Sequence, residues 1–281
     1  MACFGAAFAI FGRETDLSPT SRPGRSGSAR VEQIPVIWEL PERLTPTTKL
    51  VIWLPAGLAT METARPVMLR LAAVGYLAVS FDSWERGSRS TEALESLMPR
   101  VWANFPQVAW PLYGNGALEL MRVADWAARA FGVTPPFAVG GVSAGGDIAV
   151  AAAGLDPRMA CVAAVVATPD WRRPGMHVDG QLVGSGEPDA YAAWLYERIN
   201  PITNPGSYAH RPAMLFECGA QDDHVPADGA QRFQQALAPV YALDEARIRV
   251  TLHSGVGHDT VPEMLDNCMA WLRTHVPPDE R

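Results

Sequence analysis

Short apolar runs alternate with amphipathic stretches along most of the chain. The apolar runs have the length of buried strands, and we predict β-strands at residues 49–55, 76–82, 137–143, 159–169, 212–220 and 247–254. Between them apolar residues recur at helical spacing, and we predict helices at residues 64–75, 116–132 and 146–155. Strands that alternate with helices are typical of an α/β protein. The pattern therefore predicts a mostly parallel central sheet with helices on both faces.

Two stretches interrupt this pattern, at residues 83–115 and 170–211. Both are rich in aromatic residues and much longer than the usual connection of about 4 to 6 residues. Long insertions at one end of a sheet often cover a ligand site, so we predict an aromatic lid or cap. Trp84, Trp171 and Trp194 are its predicted substrate-binding residues. The alternative is that these tryptophans pack the extra helices onto the core.

The N-terminal region differs in composition from the rest of the chain. Residues 2–11 are apolar, but no Lys or Arg precedes them, and a membrane span needs about 20 apolar residues. Residues 16–30 are rich in Ser, Pro, Gly and Arg. We therefore predict a flexible arm at residues 1–30 and a folded domain at residues 31–281. A cytoplasmic location is predicted, with export as the alternative that the apolar start leaves open.

Composition limits the classes of function. The 281 residues are 48% hydrophobic and 19% charged, which is typical of a folded domain. The formal net charge is −7 and the 23 Lys and Arg residues are scattered, so we predict no nucleic-acid or membrane partner. The four cysteines form no C-x-x-C pair, and the six histidines form no metal-binding motif. With no phosphate-binding glycine motif either, the sequence predicts neither a metal nor a cofactor.

A glycine-rich stretch carries the candidate nucleophile, Ser143. Residues 141–145 read Gly-Val-Ser-Ala-Gly and match the G-x-S-x-G pattern. They directly follow a predicted strand and precede a predicted helix, which is where this pattern presents a serine on a strained turn. The alternative is a plain glycine-rich connection between a strand and a helix.

Partners for a serine nucleophile follow two later strands. A serine hydroxyl needs a histidine to take its proton and a carboxylate to orient that histidine. Asp222 and Asp223 follow the strand at residues 212–220, and His258 follows the last predicted strand. The chain order of serine, acid and histidine is the one that this motif requires. The alternatives are a turn-forming aspartate and a histidine in a surface loop, and His224 is read as a solvated loop residue.

Several motifs resemble the α/β-hydrolases, in particular the short dienelactone hydrolases and the prolyl-oligopeptidase-like carboxylesterases. They read GGVSAGG, GAQDDHVP and GVGHD, with supporting similarity in FDSWERGSR, and the resemblance covers residues 31–275. It implies that Asp222 is the acid, with Asp223 as the alternative. It also implies an oxyanion hole made by the backbone N–H groups of Ala144 and Leu58.

One position departs from the pattern of these families. Ala56 stands in the loop LPAGLAT where the families usually have a histidine. Gly57 keeps the close backbone approach, so the backbone oxyanion hole can survive the change. The missing side chain would leave the loop more loosely held.

The resemblance and the residues together predict a serine carboxylesterase that cleaves a small-molecule ester through an acyl-enzyme. The same three residues could act on a thioester, a lactone, an amide or a peptide, because the fold does not determine the leaving group. A lyase or a binding protein of the same fold is the second hypothesis, and Ala56 is the feature that favours it. The sequence makes no prediction about the natural substrate or the oligomeric state.

Overall fold

The computed structural model describes residues 25–57, 59–178, 180–183 and 186–279. The strands within these residues are β1 (Ser26–Val31), β2 (Ile34–Glu39), β3 (Leu50–Leu54), β4 (Leu77–Phe81), β5 (Phe137–Val142), β6 (Met159–Val165), β7 (His177–Val178), β8 (Gln181–Leu182), β9 (Ala213–Gly219) and β10 (Ile248–His253). The helices are α1 (Arg65–Ala73), α2 (Leu94–Ala103), α3 (Phe105–Phe131), α4 (Ala144–Leu155), α5 (Ala190–Ile199), α6 (Asp228–Tyr241) and α7 (Pro262–His275).

A central sheet of eight strands has the order β1-β2-β4-β3-β5-β6-β9-β10. From β4 to β10 all neighbouring strands are parallel, while β1 pairs with β2, and β2 with β4, in antiparallel register. The predicted strands correspond to β3, β4, β5, β6, β9 and β10. The predicted α/β class and mostly parallel sheet are therefore confirmed.

Helices cover both faces of the sheet. On one face α1 and α7 pack their apolar side chains against the strands, with Met68 and Leu272 fully buried. On the other face α3, α4 and α6 bury a larger cluster that includes Phe233. Because both faces are covered, β3, β4 and β9 are buried along their whole length, which explains their almost uninterrupted apolar sequences.

The hairpin of β1 and β2 was not predicted from the sequence. Ser26 begins β1 within the segment that was predicted to be a flexible arm, so the sheet starts before the predicted domain boundary at residue 31. The side chain of Trp38 on β2 fills the space above Gly27 and packs against Trp126 and Phe131. Residues 1–24 of the predicted arm lie outside the described residues.

The two insertions contain regular structure of their own. The first holds α2 and the beginning of α3, which starts at Phe105 and is longer than the predicted helix at residues 116–132. The second holds the β7–β8 hairpin and α5, and α5 packs against α3. No helix in the described ranges combines the length and the apolar character that crossing a membrane requires.

Candidate active site

Ser143 lies at the sharp turn between β5 and α4. Its backbone has φ 51° and ψ −123°, a strained conformation for a residue other than glycine. The turn is possible because no side chain stands at Gly141 or Gly145. A Cβ at Gly141 would lie 2.7 Å from the carbonyl oxygen of Leu54, and one at Gly145 would lie 2.4 Å from that of Pro55. Both glycines of the predicted motif therefore serve close backbone packing beneath the serine.

We expect Gly145→Ala to destabilise this turn. The added methyl group meets backbone atoms of the β3 end, which cannot move aside as a flexible side chain would, and overpacking of this kind costs about 1–3 kcal/mol. Denaturant unfolding measures the loss of stability. Gly206→Ala is the matched control, because no atom lies within 4 Å of the added Cβ. Equal stability of the two variants would contradict the packing argument.

A chain of hydrogen bonds joins Ser143 to a histidine and an aspartate. The Nε2 atom of His258 lies 3.1 Å from the Ser143 Oγ, and its Nδ1 atom lies 2.8 Å from Asp222 Oδ2. Asp222 and Ser143 are both buried, while the His258 side chain stays partly open to solvent. The structure thus brings together three side chains from three different loops, in the arrangement of a nucleophile, a base and an orienting acid.

Asp222, and not its neighbour Asp223, reaches the histidine. The Oδ1 atom of Asp222 accepts hydrogen bonds from the backbone N–H groups of His224 (3.0 Å) and Val225 (2.7 Å). These two donors orient the carboxylate so that Oδ2 points to His258. The Asp223 residue is exposed, and its backbone carbonyl accepts a hydrogen bond from the N–H of His177.

The loops that carry Asp222 and His258 are packed directly against each other. The backbone N–H of Gln221 donates to the Val256 carbonyl over 2.9 Å, and that of Ala220 donates to the His253 carbonyl over 3.0 Å. A Cβ on Gly219 would lie 2.2 Å from the carbonyl oxygen of Gly257. These contacts hold the acid and the base in one rigid unit at the carboxyl ends of β9 and β10.

One of the two predicted oxyanion donors lies within the described residues. Ala144 is the first residue of α4, and its backbone N–H belongs to the positive end of the helix dipole beside Ser143. Leu58, the other predicted donor, lies outside the described residues. The preceding Gly57 has a φ of 32°, and its carbonyl accepts a hydrogen bond from the guanidinium of Arg86.

A cavity of about 600 Å³ opens at Ser143 and His258. Its apolar wall comes from the first insertion, and the side chains that form it belong to Met98, Val101, Trp102, Phe105, Ala109 and Leu112. Helix α2 and the first turns of α3 carry these residues. The wall offers room for an apolar group several carbons long beside the reactive serine.

The three tryptophans predicted to bind substrate do not line this cavity. Trp171 is fully buried and packs against Tyr113, so it belongs to the core beneath the insertions. Trp194 is 51% exposed on α5, and Trp84 is half-buried away from the wall. The predicted substrate-binding role of these three tryptophans is therefore corrected. Trp171 packs in the core, as the alternative interpretation had it, and the tryptophan that lines the cavity is Trp102. The helical spacing between Met98 and Trp102, which places both on one face of α2, is the sequence signal that could have identified Trp102.

Charged groups also line the cavity. Arg86 and Arg173 contribute their side chains to the lining, and the aromatic ring of Tyr113 lies within 5.6 Å of each guanidinium carbon. Arg173 donates to Asp147 over 2.5 Å and to the Tyr113 hydroxyl over 3.1 Å. Burial raises the pKa of the Asp147 carboxyl and lowers that of the Arg86 guanidinium. The cavity is therefore lined both by apolar side chains and by a buried polar network.

His224 also belongs to the cavity wall, where the sequence interpretation placed it in solvent. Its ring meets that of His258 edge to face, with centroids 4.6 Å apart, and meets Trp102 in the same way at 5.3 Å. Burial, together with the positive charges of Arg173 and His258, lowers the pKa of His224 to about 4. The imidazole is consequently neutral near pH 7.

The strand order, the strained serine turn and the serine-histidine-aspartate arrangement define an α/β-hydrolase. The chain belongs to the prolyl oligopeptidase family, whose family model matches residues 105–277, more than half of the chain. The match spans Ser143, Asp222 and His258. No curated protein sequence matches the chain.

Solved structures agree with this assignment at the level of the fold. TT1662 from Thermus thermophilus has a TM-score of 0.69 and 23% identity, over 91% of this chain and 100% of its own. A candidate dienelactone hydrolase from Klebsiella pneumoniae subsp. pneumoniae MGH 78578 has a TM-score of 0.62 and 18% identity, over 89% and 97%. A propionate-bound esterase from Thermogutta terrifontis has a TM-score of 0.62 and 15% identity, over 92% and 97%. The resemblance to α/β-hydrolases that the sequence motifs indicated is confirmed.

Proposed function

We propose that the protein is a serine hydrolase that cleaves carboxylic esters through an acyl-enzyme intermediate. The observation that carries the proposal is the hydrogen-bonded chain of Ser143, His258 and Asp222 at the mouth of a largely apolar cavity. The Ser143 Oγ attacks the ester carbonyl carbon while the His258 Nε2 takes the hydroxyl proton. Asp222 stabilises the imidazolium that forms. The Ala144 N–H, and the Leu58 N–H as predicted from the sequence, bind the oxyanion.

The second half of the reaction uses the same groups. His258 gives its proton to the leaving alcohol oxygen as the bond between that oxygen and the carbonyl carbon breaks, which leaves the acyl group on Ser143. A water molecule then attacks the acyl carbon, and His258 takes one of its protons. The collapse of this second intermediate releases the carboxylic acid, and the proton returns from His258 to the Ser143 Oγ.

The cavity supports an ester with a bulky apolar group. The six side chains of the apolar wall bury such a group next to the serine, and burial of apolar surface contributes roughly 25 cal/mol per Å². The names of two structural neighbours, an esterase and a candidate dienelactone hydrolase, support an ester as the bond that is cleaved. A cofactor takes no part in the proposed steps.

Peptide-bond cleavage is the second candidate, because the family that matches the chain is named for oligopeptidases. Ester cleavage and amide cleavage are distinguished by two substrates that share one acyl group but differ in the leaving group. We expect p-nitrophenyl butyrate to be hydrolysed rapidly and p-nitrobutyranilide slowly. The apolar wall binds the butyryl group of both substrates, whereas the site shows no feature that favours an amide over an ester.

The measurement is kcat/KM for the ester, for the anilide and for a set of short peptidyl anilides. A kcat/KM for a peptidyl anilide that equals or exceeds the value for the ester would contradict the esterase proposal and favour a peptidase. A fluorophosphonate probe that leaves Ser143 unlabelled would contradict both the esterase and the peptidase proposals.

A further inference from the structure

The side chain of His224 takes no part in the reaction steps proposed so far, although it lies beside His258. Its backbone N–H donates to Asp222 Oδ1 over 3.0 Å, which ties this residue to the acid. Its ring contacts the ring of His258, with centroids 4.6 Å apart, and that of Trp102 on α2, with centroids 5.3 Å apart. These three contacts hold the His224 imidazole next to the histidine that takes the proton.

The ring nitrogens of His224 open into the cavity. Within the part of the chain that the structure describes, neither nitrogen has a hydrogen-bond partner, and neither is sealed from solvent as the Nε2 atom of His210 is. A neutral imidazole has one N–H donor and one acceptor nitrogen, and leaving such groups unpaired in a largely apolar wall costs free energy. A molecule in the cavity, either water or substrate, is therefore the partner that this ring is placed to bind.

The charge state of His224 suits a hydrogen-bond acceptor. Burial and the positive charges of Arg173 and His258 lower its pKa to about 4, so the ring is neutral near pH 7. A neutral imidazole keeps a lone pair on one ring nitrogen and can accept a hydrogen bond, which an imidazolium cannot. A ring with so low a pKa is also a weak base, so the proton of the nucleophile goes to His258.

We propose that His224 is a further catalytic residue, which binds the water molecule that hydrolyses the acyl-enzyme. In the acyl-enzyme the Ser143 Oγ carries the acyl group, so the His258 Nε2 is free to accept a hydrogen bond from a water. Two hydrogen bonds of about 2.9 Å each span the separation of the two rings, so one water can contact both. A lone pair of its oxygen then faces the acyl carbon. This inference rests on the proposed function.

Only one of the two water protons is transferred in this step. The water oxygen bonds to the acyl carbon while the His258 Nε2 takes one proton, and the proton that is hydrogen-bonded to His224 stays on the oxygen. The bond between the carbonyl carbon and the Ser143 Oγ then breaks, and His258 returns its proton to the Oγ. The carboxylic acid leaves with the proton that His224 had held. Methanol has a single hydroxyl proton, so acyl transfer to methanol uses His258 but not His224.

His224→Phe tests the proposal, because phenylalanine keeps the backbone N–H and an aromatic ring but has no ring nitrogen. With p-nitrophenyl butyrate we expect the rate constant of deacylation to fall about 100-fold, the effect of a badly oriented reactant, and to limit kcat. The value of kcat/KM should stay close to that of the parent, since formation of the acyl-enzyme does not use His224. A burst of p-nitrophenol should therefore appear, together with a butyryl-enzyme in the mass spectrum.

His177→Phe is the matched control. His177 lies on β7, outside the lining of the cavity, and its Nδ1 lies 2.7 Å from the Gly175 carbonyl oxygen. This variant makes the same chemical change at a different histidine. We expect its kcat, its kcat/KM and its deacylation rate to equal those of the parent.

Methanol as a competing acceptor separates water binding from a structural role. In His224→Phe we expect the ratio of methyl butyrate to butyric acid to rise by the same factor by which hydrolysis of the acyl-enzyme falls. Equal losses for water and methanol would leave this ratio unchanged, overturn the proposal and make His224 a support for His258. A slower burst, or a loss in kcat/KM, would also overturn it and assign the ring to the leaving alcohol. If His224→Phe does not fold in a thermal unfolding assay, His224→Leu takes its place with the same expectations.

The parent enzyme separates failure of this proposal from failure of the proposed function. An active parent with a His224 variant of equal deacylation rate and equal product ratio would overturn the role of His224 alone. A parent that hydrolyses no ester and does not react with a fluorophosphonate would overturn both.

Discussion

Replacing Ser143 by alanine is expected to lower kcat for ester hydrolysis by about 10⁶-fold, the size of effect seen when a serine nucleophile is removed. The hydroxyl is the group that forms the acyl-enzyme, and no other hydroxyl in the described residues is bonded to His258. The fold should be retained, because the serine makes its packing contacts through the backbone, whose N–H donates to the Val165 carbonyl over 2.8 Å. Initial rates on p-nitrophenyl butyrate, with circular dichroism as the check on folding, measure the effect.

Ser88→Ala is the control for this variant. Ser88 is an exposed serine in the loop after β4, and its contact to Asp82 is made by the backbone, so the substitution should leave turnover unchanged. A Ser143→Ala protein that keeps more than about one hundredth of the parent kcat would contradict a nucleophilic role for this residue.

Asp222→Asn is expected to lower kcat by about 10⁴-fold, as a wrong histidine tautomer does in serine hydrolases. Two backbone N–H groups, of His224 and Val225, donate to one carboxylate oxygen, so the amide oxygen of an asparagine would stay with them. Its NH₂ group would then face the Nδ1 of His258 and donate to it. The histidine would carry its proton on Nε2 and could not accept the proton of Ser143.

Asp223→Asn is the matched variant on the adjacent residue. The Asp223 residue is exposed and contributes a backbone carbonyl, which asparagine keeps, so kcat should remain near that of the parent. The comparison uses kcat/KM together with the pH dependence of kcat for the parent and both variants. A large loss of kcat in Asp223→Asn, with a kcat near that of the parent in Asp222→Asn, would show that Asp223 and not Asp222 is the acid.

The strands and the position of the serine followed from local features of the sequence. The apolar runs of β3, β4 and β9 are continuous because both faces of these strands are buried, so their pattern is visible without knowledge of their neighbours. The serine motif is similarly local, since Gly141 and Gly145 lie within two residues of Ser143. The structure also places Asp222 and His258 together, because the loops after parallel strands meet at one edge of the sheet.

Features that depend on distant contacts were not predictable in this way. The segment that forms β1 has a loop-like composition, but its Gly27 makes room for the ring of Trp38 across the hairpin. The early part of α3 contains Pro111 and Gly114, which disfavour helix in isolation. Gly114 lets Leu195 of α5 approach, with 2.9 Å between that side chain and an added Cβ, and packing of this kind outweighs intrinsic propensity.

The composition of the cavity wall depends on the same distant contacts. Aromatic residues of the insertions were visible in the sequence, but which of them turn inward is determined by how α2, α3 and α5 pack. Trp110 stacks on Tyr196 at 4.1 Å between centroids, and Trp171 lies beneath Tyr113, so both serve the core. Trp102 is left at the cavity beside His224.

Reaction with a fluorophosphonate probe, followed by mass spectrometry of the intact protein and of its peptides, shows whether Ser143 is the nucleophile. The Ser143 Oγ attacks phosphorus and displaces fluoride while His258 takes the proton, which yields a stable adduct. We expect one probe molecule per chain, on the peptide that contains Ser143, with parallel loss of esterase activity and much slower labelling of His258→Ala. A protein that hydrolyses esters yet stays unlabelled, or is labelled on a residue other than Ser143, would show that Ser143 is not the nucleophile.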